Sequence, residues 1–248
     1  MNQGYQDISY YYDMLNGEAD YESLGKFIHS QLIKHGIHTG IIADLGCGTG
    51  ELSLYFAKIG YDMISVDISE NMLSVLQQKI SEEMFPSDIL LLQQRLENLD
   101  LYGTINAAYS TFDTLNHIYP ATLFEKTISR VSTFLEVGGI FIFDVNSLYK
   151  QKHVLGNQIF SITDEDFLFT WKNTWYEQKK ATNISISIDD KENNATFTET
   201  FWEYVYLPEY IENVLQNNQL GILSCIDGET FGPVHQTTQR YLYVAQRR

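Results

Sequence analysis

Only two cysteines occur in the 248 residues, Cys47 and Cys225. One sits in a glycine-rich turn and the other in an expected strand, so no stabilising disulfide is expected and both are read as reduced thiols. The sequons at Asn183 and Asn194 carry no meaning in that setting. Proline is scarce, at 4 residues, and no linker, internal repeat or low-complexity tract is evident. Basic side chains number 16 against 32 acidic ones, giving a formal net charge of -16. Such a surface repels a phosphate backbone, and no lysine and arginine run makes a local exception. Nucleic acid is therefore not the expected partner. No apolar run approaches membrane-spanning length, and the opening "MNQGYQDISYYYDMLNGEADY" resembles no signal peptide. No membrane association is expected, and the cytoplasm is the expected location.

What the chain has is a core. Hydrophobic residues make up 44% and aromatics 14%, enough for one principal α/β domain with an appended element. Leu24, Phe27, Ile28, Leu32 and Ile33 fall at helical spacing between Tyr21 and Lys34. From Ile41, short apolar runs alternate with amphipathic segments: "IIADL", Glu51 to Lys58, "DMISVD", Glu70 to Ser81, "DILLLQQ", "INAAYS". That alternation is the signature of a parallel sheet flanked by helices. A helix from about Pro120 to Leu135 is expected to be capped by the glycines of "EVGG", with "GIFIFDV" as a buried strand beyond it. After Asn146, "FLFTWKNTWYEQ", "TNISISID" and "ATFTETFWEYVYL" change to period two and predict an antiparallel insert, with Ile184, Ile186 and Ile188 on its packed face. A closing helix and two strands follow. The expected organisation is a cofactor-binding part at 1–146, the insert at 147–207 and the closing elements at 208–248.

"IIADLGCGTGEL" holds the strongest signal. A dinucleotide fingerprint spaces its glycines G-x-G-x-x-G, whereas Gly46, Gly48 and Gly50 give G-x-G-x-G. Asp44 stands at the strand end and Glu51 opens the helix, where a pyrophosphate would meet negative charge. An acid there favours a ligand carrying a cation. S-adenosylmethionine has an ammonium and a sulfonium and no phosphate. Asp67, closing the next strand, is placed to accept ribose hydroxyls, a role open to either ligand class. Its alternative role as a helix N-cap falls more naturally to Ser69.

"ADLGCGTGELSLYFAKIGYDMISVDISENML" and "LEVGGIFIFDVN" together resemble the S-adenosylmethionine-dependent methyltransferases of the Rossmann-like class. The resemblance covers Ile41 to Asn146 firmly and the remainder in outline. It implies a seven-stranded, mostly parallel sheet flanked by helices with its last strand antiparallel, an antiparallel β insert after the fifth strand, and S-adenosylhomocysteine as product. Residues matching the family's cofactor site are Tyr12, Asp44, Gly46, Cys47, Gly48, Thr49, Gly50, Asp67, Ile68, Met72, Arg95, Leu96, Thr111, Phe112 and Asn116. One departure stands out: the family's acid after the third strand is replaced by Gln94 and Arg95, and Glu97 comes two places late.

"YSTFDTLNHIYP" is similar to the acceptor-side segment of small-molecule N-methyltransferases, and "YYYDML" to the family's Tyr-Asp element. Together they mark His117 and Tyr12 as catalytic candidates. Histidine's ordinary pKa suits proton removal near neutrality; the alternative is a histidine that only caps a loop. Phe167, Phe169, Trp171 and Trp175 either roof an acceptor pocket or form the insert's own core or a homodimer contact. His35 and His38 lack companion ligands, so no metal is expected. The leading expectation is methyl transfer to an amine or hydroxyl of a small molecule. The alternatives are a tRNA or protein methyltransferase and a non-catalytic cofactor-binding regulator.

Overall fold

The computed structural model describes residues 19–163, 167–191 and 195–248. The helical spacing near the start forms α1 (Tyr21–Lys34), whose N-terminus is capped by the Asp20 carboxylate accepting the Ser23 N–H. Leu24, Ile28 and Leu32 are buried and Ile33 is exposed. The alternating region builds β1 (Ile41–Leu45), α2 (Glu51–Lys58), β2 (Asp62–Asp67), α3 (Glu70–Glu82), β3 (Ile89–Gln93) and β4 (Ile105–Ser110). Ser69 caps α3 by accepting the Met72 N–H, which leaves Asp67 for other work.

α4 (Ala121–Phe134) runs directly into β5 (Leu135–Asn146). Here the structure corrects the sequence reading, since Gly138 and Gly139 do not cap the helix. They lie in β5, where register shifts between the Ile105–Leu135 and Ala107–Ile140 pairs, and the four residues between Leu135 and Ile140 bulge out. Gly138 adopts φ +87 there, a conformation glycine takes without strain.

The closing elements are α5 (Pro208–Asn217), β10 (Leu220–Asp227) and β11 (Arg240–Arg247). The large sheet has seven strands in the order β10-β11-β5-β4-β1-β2-β3, and β11 alone runs against the other six. Side-chain alternation divides the core between its two faces. Ile42, Met63 and Ile142 pack with α1 and α2, whereas Ala43, Leu45, Phe141 and Phe143 pack with α4 and α5.

Between β5 and α5 lies a second sheet of four antiparallel strands: β6 (Ile159–Thr163), β7 (Phe167–Tyr176), β8 (Ala181–Asp190) and β9 (Ala195–Tyr204). β6 was not anticipated from the sequence; it is short, and all five residues are exposed. Ile184, Ile186 and Ile188 form the packed face as expected, joined by Phe169 and Phe201. Among the described residues no helix is long and apolar enough to cross a membrane.

Candidate active site

Strand order reverses between β1 and β4, so a crevice opens outside their C-terminal ends. The turn after β1 forms its floor. Gly46, Gly48 and Gly50 adopt φ of +81, +53 and +84. A Cβ on Gly46 would come within 2.3 Å of the Thr114 side chain, and one on Gly50 within 2.2 Å of Leu76. Gly46→Ala is therefore expected to cost about 1–3 kcal/mol and lower the melting temperature. An unchanged melting curve would contradict the close approach.

The turn's N–H groups point inward. Gly46 and Cys47 both donate to the Val66 carbonyl, at 2.7 and 3.0 Å. Gly48 donates to Asp67 Oδ2 at 2.9 Å, and Ser69 donates to Asp67 Oδ1 at 2.8 Å. A pyrophosphate cradle needs such donors turned toward the ligand. Here three of them are engaged by the chain itself, which fits a phosphate-free nucleoside.

Acids line the same region. Asp44 is buried and accepts Ser53 Oγ–H at 2.6 Å and Tyr109 O–H at 3.0 Å. Burial outweighs those two hydrogen bonds and lifts its pKa to about 7. Burial likewise raises Asp67, against the N–H groups it accepts. Burial also holds the Cys47 thiol well above its ordinary pKa, and its Sγ contacts Gly48 O at 3.6 Å. Glu51 opens α2 as expected, yet its carboxylate is paired with Lys79 at 2.7 Å. Its charge therefore acts on the crevice only weakly.

The main cavity has a volume of about 410 Å³, in the range of small-molecule sites. It gathers Gly46, Gly48, Asp67, Ile68, Met72, Arg95, Leu96, Phe112 and His117 from the expected set. A narrow second cavity shares Gly46, Gly48 and Phe112 with it and adds Asp44, Cys47, Thr49, Gly50 and Thr111. Asn116 lines neither. Fully buried, it donates to Tyr204 O at 2.8 Å and accepts the Asn146 N–H at 2.8 Å, tying the β4 loop to β5 and β9. Tyr12 lies outside the described residues.

Glu97, in the short 3-10 turn Leu96–Asn98, is buried and paired with Arg95 at the cavity edge. Gln94 lines the cavity beside them. The insert reaches the cavity through β9: Phe201, Trp202 and Tyr204 form its wall, with Tyr119 stacked on Tyr204 at 4.0 Å between centroids. Phe167, Phe169 and Trp171 instead belong to the insert's own core, and Trp175 donates to Glu177 at 2.9 Å.

The loop after β4 is strained in a defined way. Phe112 and Asp113 adopt φ of +53 and +55, each costing about 1–3 kcal/mol in a non-glycine residue. The buried Asp144 carboxylate compensates by accepting both N–H groups, at 2.9 and 2.7 Å. Arg240 lies 3.5 Å from Asp144 and over the Phe112 ring. His117, four residues beyond Asp113, has Nδ1 3.2 Å from the Trp202 carbonyl and Nε2 3.7 Å from Asp113 Oδ2. Since a carbonyl only accepts, Nδ1 carries the proton and Nε2 the lone pair in the neutral ring. Burial lowers the His117 pKa below the ordinary value, against the pull of Asp113.

A methyltransferase domain family matches residues 42–139. YqeM of Bacillus subtilis (strain 168), whose name gives a provisional assignment as a methyltransferase, is 31% identical over 216 residues, 86% of this chain and 85% of that protein. A S-adenosylmethionine-dependent methyltransferase from Clostridium acetobutylicum is similar in structure, with TM-score 0.86, 29% identity and coverage of 96% of each chain. The sugar N-methyltransferase KedS8 from Streptoalloteichus shares the fold, with TM-score 0.76, 15% identity and coverage of 96% of this chain and 92% of that one. With the glycine turn, the reversed strand order and these relatives in agreement, the chain belongs to the class I S-adenosylmethionine-dependent methyltransferases, and S-adenosylmethionine is its cofactor.

Proposed function

We propose that this enzyme methylates a nitrogen or oxygen of a small molecule held in the main crevice, with His117 accepting the proton that the acceptor loses. The observation that carries this reading is the continuity of the crevice, from Gly46, Gly48 and Asp67 at one end to His117, Trp202 and Tyr204 at the other. S-adenosylmethionine, when bound, supplies a methyl group already activated by its sulfonium. The protein's part is then positioning, exclusion of water and proton removal. Asp67 holds the ribose hydroxyls, the glycine turn admits the edge of the nucleoside, and Asp44 faces the donor's ammonium. Ile68, Met72 and Leu96 pack around the adenine, and Arg95 is anchored by Glu97 beside it. Tyr12 completes the catalytic pair of the sequence reading. An acidic chain and a partly enclosed crevice support a small acceptor over RNA. A screen of amines, hydroxyl compounds and amino sugars for S-adenosylhomocysteine production tests the reading. A catalogue-wide failure to turn over, with intact cofactor binding, would contradict it.

Asp44 adds a pH-dependent prediction. Its folded pKa of about 7 lies above the ordinary 3.8, so the proton it retains stabilises the ligand-free fold at low pH. That contribution declines as pH rises through about 7. A cationic ligand beside Asp44 favours the carboxylate, so cofactor binding near neutral pH should release a proton. Calorimetry in buffers of different ionisation heat should show that release in the wild type and not in Asp44→Asn. Equal proton release from both would remove Asp44 from the ligand's surroundings.

A further inference from the structure

We propose that Asp113, His117 and Glu203 form a subsite for an organic ammonium group, so that the methyl acceptor enters the crevice as a cationic amine and not as a neutral alcohol. This rests on the crevice being the acceptor site. Each of the three residues offers one atom, and these atoms lie within 4.8 Å of one another. They come from distant parts of the chain: the loop after β4 and the C-terminal end of β9.

The subsite is built with an excess of negative charge. No lysine or arginine among the described residues forms an ion pair with Asp113 or Glu203. Lys150 acts on Asp113 through its charge without pairing with it, and Arg240 is engaged by Asp144 and Glu229. Glu203 is 2% exposed and accepts the amide N–H groups of Asn146, at 2.9 Å, and of Gln151. Both amides are themselves buried, and Asn146 Oδ1 and Gln151 Oε1 have no partner. Two carboxylates and an imidazole thus share one spot, and the two amides that hold Glu203 carry orphaned oxygens of their own. Buried acceptors without donors are costly, and buried like charges more so. Burial and the neighbouring Glu203 both push Asp113 toward its neutral form in the ligand-free protein.

What would relieve all of this is a positive group carrying several N–H donors. A primary ammonium offers three, which matches the two carboxylates and the imidazole. His117 lines the crevice and offers the route in; its side chain and that of Asp113 remain 25% and 23% accessible, while Glu203 is buried. The strained backbone at Phe112 and Asp113, held by Asp144, fixes the position of the first carboxylate. The aromatic wall of Phe201, Trp202 and Tyr204 leaves space suited to a ring beside the charged head.

Ligand-observed NMR at neutral pH tests the proposal with two matched pairs: benzylamine against benzyl alcohol, and cyclohexylamine against cyclohexanol. In each pair the amine should bind roughly tenfold or more tightly, the expected reach of a charge-assisted hydrogen bond. Asp113→Asn and Glu203→Gln, with melting curves near the wild type, should erase that preference while S-adenosylmethionine affinity stays within a few-fold. Equal binding of amine and alcohol, no detectable binding of either amine, or a preference surviving both substitutions would overturn it. So would one equivalent of Mn²⁺ or Zn²⁺ occupying the cluster and displacing benzylamine, since the cup would then serve a metal. Loss of S-adenosylmethionine binding in the wild type would instead count against the cofactor assignments, a separate failure.

Discussion

Asp67→Ala should weaken S-adenosylmethionine binding by roughly two orders of magnitude, from the loss of charge-assisted hydrogen bonds to the ribose. The carboxylate closes β2 and faces the crevice, where it already accepts N–H groups from Gly48 and Ser69. Each oxygen has a second lone pair for a ribose hydroxyl. Truncation therefore removes ligand contacts and also leaves two backbone donors of the crevice floor without their acceptor. Asp67→Asn separates the two effects, because its amide oxygen still accepts one N–H while the negative charge is gone. Isothermal calorimetry should rank the affinities wild type, Asn, Ala. Unaltered affinity in the alanine variant would reject the ribose role.

His117→Ala should lower kcat by about 10²- to 10⁴-fold, the usual contribution of a positioned base, and change cofactor affinity only slightly. The Trp202 carbonyl and Asp113 orient the ring between them. Burial keeps it neutral at physiological pH, ready to accept a proton. The sign of the pH effect follows: protonated His117 cannot act, so kcat falls on acidification, with the acid limb below the ordinary histidine pKa of 6.5. In the alanine variant that limb should vanish. A variant as fast as the wild type on the true acceptor, or one with the same acid limb, would remove His117 from proton transfer.

Much of the crevice floor was legible in the sequence because its determinants are local. Three alternating glycines require a turn, an acid at the next strand end requires about one βαβ spacing, and both positions survive any detail of packing. Ser69 as the α3 cap was equally readable, from a hydroxyl three residues before Met72. The glycines of β5 misled because a pair after a helical run suggests a cap, whereas the bulge they occupy depends on pairing with β4. The β9 wall of the crevice was less legible. Period two in the insert identified strands without saying which face meets the crevice, so β7 aromatics drew notice and Phe201, Trp202 and Tyr204 did not. Asn116, matched to the cofactor site by resemblance, lines neither cavity; its bonds to Asn146 and Tyr204 span 30 and 88 positions, beyond any local pattern. The meeting of Asp113 with Glu203 is hidden for the same reason.

The crevice beside Gly46 and Asp67 is expected to hold a phosphate-free sulfonium nucleoside with its reactive end toward His117. A crystal structure of the protein soaked with S-adenosylmethionine tests this most directly. Density is expected with the ribose against Asp67, the ammonium beside Asp44 and the methyl group facing His117. Density for the donor elsewhere, or a methyl group directed away from the His117 side of the crevice, would contradict it.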